Sequence, residues 1–421
     1  MSALSGEDLH AVESHLQCAM AWAFPADVKH VGLAVSGGGD SMAMLDLYRR
    51  FAPDKKVLIS VVTVDHGLRP EAAGEARLVA DYCAHHGISH HIAQWDGTQA
   101  KGNLMAAARE ARYRLITQWA RAQDIPCVAL AHTADDQAET VLMAMARGSG
   151  VDGLAAMTTH SQKHGITFIR PLLKVARADL RRYLTAHGLT WAEDPSNDNP
   201  AFERVRMRRA LPVLENLGLT VDALGQVAHA AQMAASLVAQ KTAEDARRVV
   251  RFDRSDLLIE TRPRPPIHPE TERRIMLAAL AYIGKSVKQP RTHQLARMDH
   301  GLAINGIHVL AGCVITEEDT GLRITREVGA IDQIGRPNEM WDNRWTLLSD
   351  QAGEVRALGE AGLAQCPDWR SQGLPRRSLL AHPGLWRGQE LIAAPTVGMA
   401  CGTCAELTLG ADHFFSTALS H

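Results

Sequence analysis

The chain has no apolar run that approaches the roughly 20 residues needed to cross a bilayer as a helix. The segment from Met1 to His15 is polar and mixed in charge, which does not match a signal peptide or a transit peptide. These two absences argue against a membrane-spanning protein and against an exported one. We therefore expect a cytoplasmic protein without a membrane partner.

Cysteine is too scarce for a disulfide framework, because only seven cysteines are spread over 421 residues and an odd number prevents complete pairing. Cys401 and Cys404 nevertheless have the spacing of a redox pair or half a zinc site. A zinc site needs further ligands, for which Cys366 and His413 are the nearby candidates. Simple packing is the favoured interpretation of the pair, and a functional role stays open.

Charge is nearly balanced, with 45 basic and 47 acidic residues and a net charge of −2. This balance does not exclude a nucleic-acid partner, because binding depends on a local positive surface. A length of 421 residues exceeds what one hydrophobic core usually serves. Turn-rich breaks near 195–200 and 262–266, and a turn-rich region from about 329, predict domains at 1–215, 216–328 and 329–421.

Strand-like and helix-like segments alternate through the first 210 or so residues. The predicted strands are Val31–Val35, Val57–Val64, Ile88–Gln94 and Pro126–Ala131. The predicted helices are Met42–Phe51, Glu71–Gly87, Ala106–Trp119 (with Asn103 as N-cap) and Asp135–Arg147. This alternation predicts an α/β domain of Rossmann-like form, in which helices cover both faces of a parallel sheet. The rest predicts a mainly helical domain, with a hairpin near 307–324, and then a small β-containing domain.

Polar segments follow three of the predicted strands. They are the glycine-rich segment after Val35, Asp65 and His66 after the second strand, and His132 after the fourth. Parallel sheets bind ligands at the carboxyl ends of their strands. We therefore expect these segments to converge on one rim.

The glycine-rich segment Ser36-Gly37-Gly38-Gly39-Asp40-Ser41 has the properties of a phosphate-binding loop. Its backbone N–H groups and the following helix N-terminus suit an anion, and both serine hydroxyls can donate to phosphate oxygens. A carboxylate beside phosphates implies a bridging cation, so Asp40 predicts Mg²⁺. A Walker A loop is excluded because no lysine is present, and Met42 stands where a dinucleotide fingerprint needs glycine. Phosphate binding is favoured over a plain tight turn.

A second acidic segment lies between His132 and Thr140. At helical spacing, His132, Asp136, Glu139 and Thr140 share a face, and their carboxylates suit a metal ion or a cationic amine. The ordinary alternative is N-capping by Thr133 or Asp135 with solvent-facing acids.

Two basic segments also have ordinary alternatives. Arg109 and Arg112 are neighbours on one predicted helix, and arginine is dense around residues 177–182 and 204–209. Both clusters could follow RNA phosphates or could be solvated helix faces. Similarly, Asp65 to Gly67 reads as a polar turn when taken alone.

The loop resembles the Ser-Gly-Gly-x-Asp-Ser signature of the PP-loop ATP pyrophosphatase superfamily. Together with Val64–Arg69, His132–Thr140, Arg147–Gly150 and Arg170–Leu173, it resembles the tRNA(Ile)-lysidine synthases over roughly residues 30 to 210. The chain departs from that family's pattern at Met105, where the family has Glu, and at Val205, where it has Asn. The role of a carboxylate at the first position and of an amide at the second is therefore open.

The resemblance implies a two-step reaction. ATP adenylates the ring carbonyl oxygen of the wobble cytidine in the CAU anticodon of tRNA(Ile), and the ε-amine of free L-lysine then displaces AMP. The implied cofactors are ATP and Mg²⁺, and a homodimer is compatible with the resemblance. The implied catalytic residues are Asp40, Asp136, Glu139 and Arg206, with Asp40 and Asp136 as metal ligands. The implied ATP-binding residues are Ser36, Gly37, Gly38, Gly39, Asp40, Ser41, Asp65, His66 and His132, and the implied tRNA-binding residues are Arg109, Arg112, Arg204 and Arg208.

Two alternatives compete with this interpretation. A PP-loop tRNA thiolase would use cysteines near the ATP site, whereas Cys18, Cys83 and Cys127 are isolated in the sequence. A non-catalytic protein that binds nucleotide or RNA would tolerate a degenerate loop, whereas Asp40 and the His132–Thr140 segment are intact.

Overall fold

The computed structural model describes residues 6–23, 28–67, 71–95, 104–193, 199–263, 266–285, 289–408 and 410–418. The chain forms two compact units, Met1–Ala235 and Ser236–His421. Within the described ranges, no helix is long and apolar enough to cross a membrane. The predicted boundaries at 215 and 328 stay predictions.

The first unit is built on a six-stranded sheet with the order β3-β2-β1-β4-β6-β5. All neighbouring strands are parallel except the β5–β6 pair. The strands are β1 His30–Ala34, β2 Leu58–Asp65, β3 Ser89–Gln94, β4 Cys127–Leu130, β5 His160–Lys163 and β6 Ile166–Ile169. The helices are α1 Gly6–Ala23, α2 Gly39–Lys55, α3 Glu71–His85, α4 Leu104–Ala122, α5 Ala134–Ala146, α6 Val151–Leu154, α7 Arg177–Ala186 and α8 Glu203–Glu215.

The predicted parallel-sheet domain is confirmed, and its apolar strands are buried on both faces. One core contains Val31 and Leu33 together with residues of α1, α2 and α7. The other contains Val128 and Phe168 together with residues of α4. At Gly32, a Cβ atom would lie 2.7 Å from the ring of Trp119, so glycine allows α4 to approach the sheet closely. Helix α1 and strands β5 and β6 were not predicted.

The sheet has its topological switch point at β1. This strand pairs with β2 on one side and with β4 on the other, so the connections leave β1 and β4 in opposite directions along the sheet. A crevice forms outside the carboxyl ends of two such strands, and ligands bind there in open α/β sheets. The glycine-rich loop follows β1 and the acidic segment follows β4. The predicted convergence on one rim agrees with this topology.

The second unit is built on antiparallel sheets. A five-stranded sheet has the order β7-β8-β11-β10-β9, and two three-stranded sheets have the orders β12-β13-β17 and β14-β15-β16. Its strands are β7 Val250–Asp253, β8 Asp256–Glu260, β9 Ile307–Leu310, β10 Cys313–Glu318, β11 Gly321–Arg326, β12 Met340–Trp341, β13 Trp345–Leu348, β14 Glu354–Ala357, β15 Pro383–Arg387, β16 Glu390–Ala393 and β17 Cys404–Leu407. Helix α9 Val221–Val249 begins in the first unit, and the others are α10 Pro269–Gly284, α11 Thr292–Asn305, α12 Gly359–Ala364, α13 Arg376–Leu380 and α14 Ala411–His413.

The region predicted as mainly helical thus contains helices and a sheet that is larger than the predicted hairpin. Strands β10 and β11 form that hairpin, and β7, β8 and β9 extend it. The region after residue 329 contains strands, as predicted. Cys401 and Cys404 are exposed free thiols, and the described residues contain no group of three His, Cys, Asp or Glu residues that could hold a metal.

Candidate active site

The glycine-rich loop is held in shape by its own serines. The Ser36 backbone N–H donates to the Ser41 hydroxyl at 3.1 Å, and that hydroxyl donates to the Gly38 carbonyl at 2.8 Å. Ser41 is buried and its single proton is used inside the loop, whereas Ser36 is exposed. The predicted phosphate contact therefore suits the Ser36 hydroxyl, while Ser41 fixes the loop.

Two of the loop glycines are closely approached by neighbouring groups. Gly37 has a φ of +88°, and a Cβ there would lie 3.1 Å from the Glu75 carbonyl oxygen. At Gly39, where α2 begins, a Cβ would lie 2.9 Å from the guanidinium of Arg181. The Arg181 guanidinium thus lies directly beside the loop, and its central carbon is 4.9 Å from the centroid of the Trp191 ring. The sequence showed Arg181 only as part of a basic segment.

Asp40 lies in the first turn of α2, where the helix dipole favours a negative charge. Its Oδ2 accepts from Arg177 Nε at 3.0 Å, while its Oδ1 is buried and has no hydrogen-bond partner. Burial raises the pKa of Asp40, and Arg177 opposes that rise. A buried carboxylate oxygen without a donor fits a cation ligand. Mg²⁺ usually takes one or two protein carboxylates plus phosphates and water, and Asp40 can supply one such carboxylate.

Asp136 lies in the first turn of α5 and completes its capping box. Its Oδ2 accepts from the Thr133 backbone N–H at 2.9 Å and from the Thr133 hydroxyl at 3.1 Å. Its Oδ1 accepts from Arg177 Nη2 at 3.1 Å. Burial opposes ionisation of Asp136, but the Arg177 guanidinium and the polar groups around it hold its pKa below the usual range. Both oxygens are engaged, so Asp136 is less available to a metal than Asp40.

Glu139 lies one turn further along α5, and its side chain is fully buried. Three guanidinium groups surround it: Arg208 Nε at 2.7 Å, Arg204 Nε at 3.3 Å and Arg177 Nη1 at 3.4 Å. A carboxylate can remain charged in a buried site only with such partners. The ordinary interpretation of solvent-facing acids on α5 does not describe Glu139.

His132 follows β4 and faces the same cluster. Its Nδ1 is buried and has no hydrogen-bond partner. Burial lowers the pKa of His132, and the nearby Arg112, Arg170 and Arg204 lower it further, so the imidazole is neutral at pH 7. A neutral ring offers one donor and one acceptor to a ligand.

Asp65 and His66 follow β2. The Asp65 Oδ1 accepts from the Gly67 backbone N–H at 2.9 Å, so this carboxylate stabilises a turn. His66 packs edge-on against Trp95, with ring centroids 5.8 Å apart. The rest of this motif, residues 68–69, lies outside the described residues, as do Asn103 and residues 195–198 of the turn predicted at 195–200.

The structure separates the predicted arginines into two groups. Arg204 and Arg208 are one helical turn apart on α8 and both pair with Glu139. Arg206 points elsewhere, because its Nη1 donates to the carbonyl oxygens of Pro200 and Ala201, each at 3.0 Å. Arg206, predicted to be catalytic, is therefore exposed and is not brought together with the acids.

The two predicted arginines of α4 differ in exposure. Arg109 is exposed, with its guanidinium 5.5 Å from the centroid of the Tyr113 ring. Arg112 is partly buried and lies near His132. Of the predicted pair, Arg112 is thus the one closer to the acidic cluster.

Arg177 is the residue that the prediction missed. It is the first residue of α7 and pairs with Asp40, Asp136 and Glu139. Its signal in the sequence was a position in an arginine-rich segment, which does not distinguish it from Arg182, an exposed residue of the same helix.

Comparison with known proteins gives consistent results. A family model described as a PP-loop domain matches residues 10–214. The chain is 42% identical to the tRNA(Ile)-lysidine synthase of Ruegeria pomeroyi, covering 93% of this chain and 94% of that protein. It is 44% identical to the enzyme of the same name from Bradyrhizobium diazoefficiens, covering 81% and 91%. Among solved structures it is similar to the U34-tRNA thiolase NcsA from Methanococcus maripaludis, at 18% identity and a TM-score of 0.44, covering 52% and 80%. That structural similarity is too low to carry a functional argument.

Proposed function

The chain belongs to the tRNA(Ile)-lysidine synthase family, and from that membership we propose that it joins free L-lysine to the wobble cytidine of tRNA(Ile) with a CAU anticodon. It uses ATP through its PP-loop domain. One observation carries the proposal. Outside the ends of β1 and β4, Arg177 bridges Asp40 of the glycine-rich loop to the carboxylates of Asp136 and Glu139. One site thus offers groups for an anion and groups for an amine.

In the first proposed step, the ring carbonyl oxygen of cytidine attacks the α-phosphorus of ATP. The new oxygen–phosphorus bond forms as the bond to the β-phosphate oxygen breaks, and pyrophosphate leaves. Backbone N–H groups of the loop, the N-terminus of α2 and the guanidinium of Arg181 can stabilise the developing charge. We assign the Oδ1 of Asp40 to Mg²⁺, which supplies charge neutralisation for the departing phosphates when it is bound.

In the second proposed step, the lysine ε-nitrogen attacks the activated ring carbon and AMP leaves. The ammonium must first bind near a carboxylate and then lose a proton. We assign the binding of the ammonium to Asp136, because all of the Glu139 side chain is buried among guanidinium groups while Asp136 keeps some exposure. The lowered pKa of Asp136 keeps it ionised as the partner of the ammonium. Glu139 in this proposal orders Arg204 and Arg208.

The RNA contacts are proposed from charge and exposure. Arg109 is exposed and can follow a phosphate, while Arg112 and the neutral His132 lie deeper, where a nucleotide base could be held. Because the substrate is a tRNA, the proposed reaction takes place in the cytoplasm. A homodimer is the proposed assembly, which sedimentation of the full chain would test.

The proposed function is tested by incubating the protein with ATP, Mg²⁺, labelled lysine and unmodified tRNA(Ile) with a CAU anticodon. We expect label in the RNA and one AMP per label. The matched control is the same tRNA with the wobble cytidine replaced by uridine, which should stay unlabelled. Absence of label in the CAU tRNA would exclude the proposed reaction.

A further inference from the structure

The backbone of Arg177 is held in place independently of the contacts of its side chain. Its backbone N–H donates to the Asp135 carboxylate at 2.7 Å, and the nearby Val175 carbonyl accepts from the Ala134 N–H at 2.9 Å. The start of α7 is therefore tied to the start of α5. This attachment leaves the guanidinium little freedom to move away from the acids.

The guanidinium uses a different nitrogen for each of three carboxylates. Nε donates to Asp40 at 3.0 Å, Nη2 to Asp136 at 3.1 Å and Nη1 to Glu139 at 3.4 Å. Only 17% of the Arg177 side chain is exposed. One planar group therefore sets the spacing between the loop after β1 and the acidic face of α5.

The three acids need this group because they would otherwise repel one another. Glu139 has Arg204 and Arg208 as additional partners, whereas Asp40 and Asp136 share Arg177. Like charges in a partly buried site disfavour each other strongly. Without Arg177, Asp40 and Asp136 would move apart, and this change would alter the place where an amine can bind.

We propose that Arg177 is a positioning residue that holds the carboxylates of Asp40, Asp136 and Glu139 in one arrangement, so that adenylation and amine attack share a fixed geometry. This inference rests on the proposed function, which assigns the first step to the loop and the second to α5. Lysine cannot replace Arg177, because one ammonium nitrogen cannot reach three separated carboxylates in the plane of a guanidinium. A positive charge at position 177 is thus insufficient to hold the three carboxylates in place.

The activity test compares Arg177→Lys with Arg121→Gln, a change at an exposed arginine near the end of α4 that donates to the His164 carbonyl. For R177K we expect lysine transfer to fall about 100-fold, because misplacement of reacting groups by about 1 Å costs that much. The KM for lysine should rise, while binding of ATP to the loop stays near wild type. R121Q should transfer lysine like the wild type. An R177K enzyme with wild-type lysine KM and kcat would overturn the inference.

A stability test examines the coupling between Arg177 and the acids directly, so that its failure can be distinguished from failure of the proposed function, which only the tRNA assay tests. The melting temperatures of Arg177→Gln, Asp136→Asn and the double variant form a double-mutant cycle. Shared positioning predicts that the double variant loses less than the sum of the two single losses. Additive losses would overturn the inference, because the two side chains would then act independently.

Discussion

Replacing Glu139 by glutamine removes one negative charge from a fully buried site and changes almost nothing else in size. The three guanidinium groups of Arg177, Arg204 and Arg208 then face a neutral amide. Since the shape is conserved, cavity formation does not contribute. The perturbation therefore isolates the electrostatic role of this carboxylate.

The expected loss follows from the burial of the partners. Removing one member of a buried ion pair costs about 3–5 kcal/mol, because the remaining charge is left unpaired. The side chains of Arg204 and Arg208 are about one-third exposed and can turn toward water, which screens part of that cost. Arg177 keeps Asp40 and Asp136 as partners after the substitution. We therefore take the lower end, about 3 kcal/mol.

Differential scanning calorimetry of the full chain measures this loss. For a unit of this size, about 3 kcal/mol corresponds to a decrease in Tm of roughly 6–12 °C. The matched control is Glu203→Gln, which breaks the partly exposed pair with Arg147 and should cost about 0–1 kcal/mol. If E139Q and E203Q had the same Tm, the cluster around Glu139 would not be the buried ion network described here.

Three further predictions concern the loop and its support. Gly37→Ala should lower Tm by an amount equivalent to about 1–3 kcal/mol, because alanine is strained at positive φ. In the control Gly74→Ala in α3, the new Cβ meets nothing within 4 Å, so this variant should show no loss. Equal Tm values for G37A and G74A would refute this prediction. Asp40→Ala should reduce AMP release at least about 100-fold, as expected when charge stabilisation is lost, with an unchanged circular dichroism spectrum; undiminished release would contradict the assigned role. Burial opposes ionisation of Asp46, but donors that include Tyr183 hold its pKa well below the usual range. Its stabilising contribution is therefore present above the unfolded pKa of about 4 and is lost as pH falls below it, so Tm should decrease on acidification, and less steeply in Asp46→Asn; parallel curves would count against this reading.

The fold of the first unit could be predicted from the sequence because its signals are local. Each predicted strand in the first 131 residues matches an observed strand to within about two residues, which is the usual uncertainty of strand ends. Apolar runs and glycine or proline breaks lie within a few residues of each other, so a pattern shows them. The five-stranded sheet of the second unit was missed in part because β7 and β8 are short, and because β8 pairs with β11, which lies more than 60 residues further along the chain.

The arginines of α8 show what a pattern cannot supply. Residues 204, 206 and 208 all read as one basic segment, but a helix turns by about 100° per residue, so the first and third share a face and the middle one does not. The sequence predicts this periodicity, but it does not show which face of α8 meets α5. The structure shows that Arg204 and Arg208 meet Glu139 and that Arg206 caps carbonyl groups of the preceding turn.

The role of Arg177 could not be predicted from a local sequence pattern, because its partners are distant in the chain. Its three acidic partners stand 137, 41 and 38 positions away in the chain. They meet because β1 and β4 are neighbours at the switch point of the sheet, which places the first turns of α2 and α5 side by side. The first turns of α2 and α5 both carry acidic side chains, which repel each other unless they share a cation. Arg177, at the start of α7, supplies that cation. The pattern of residues could indicate the acids, but the need for Arg177 arises only when the sheet order brings those acids together.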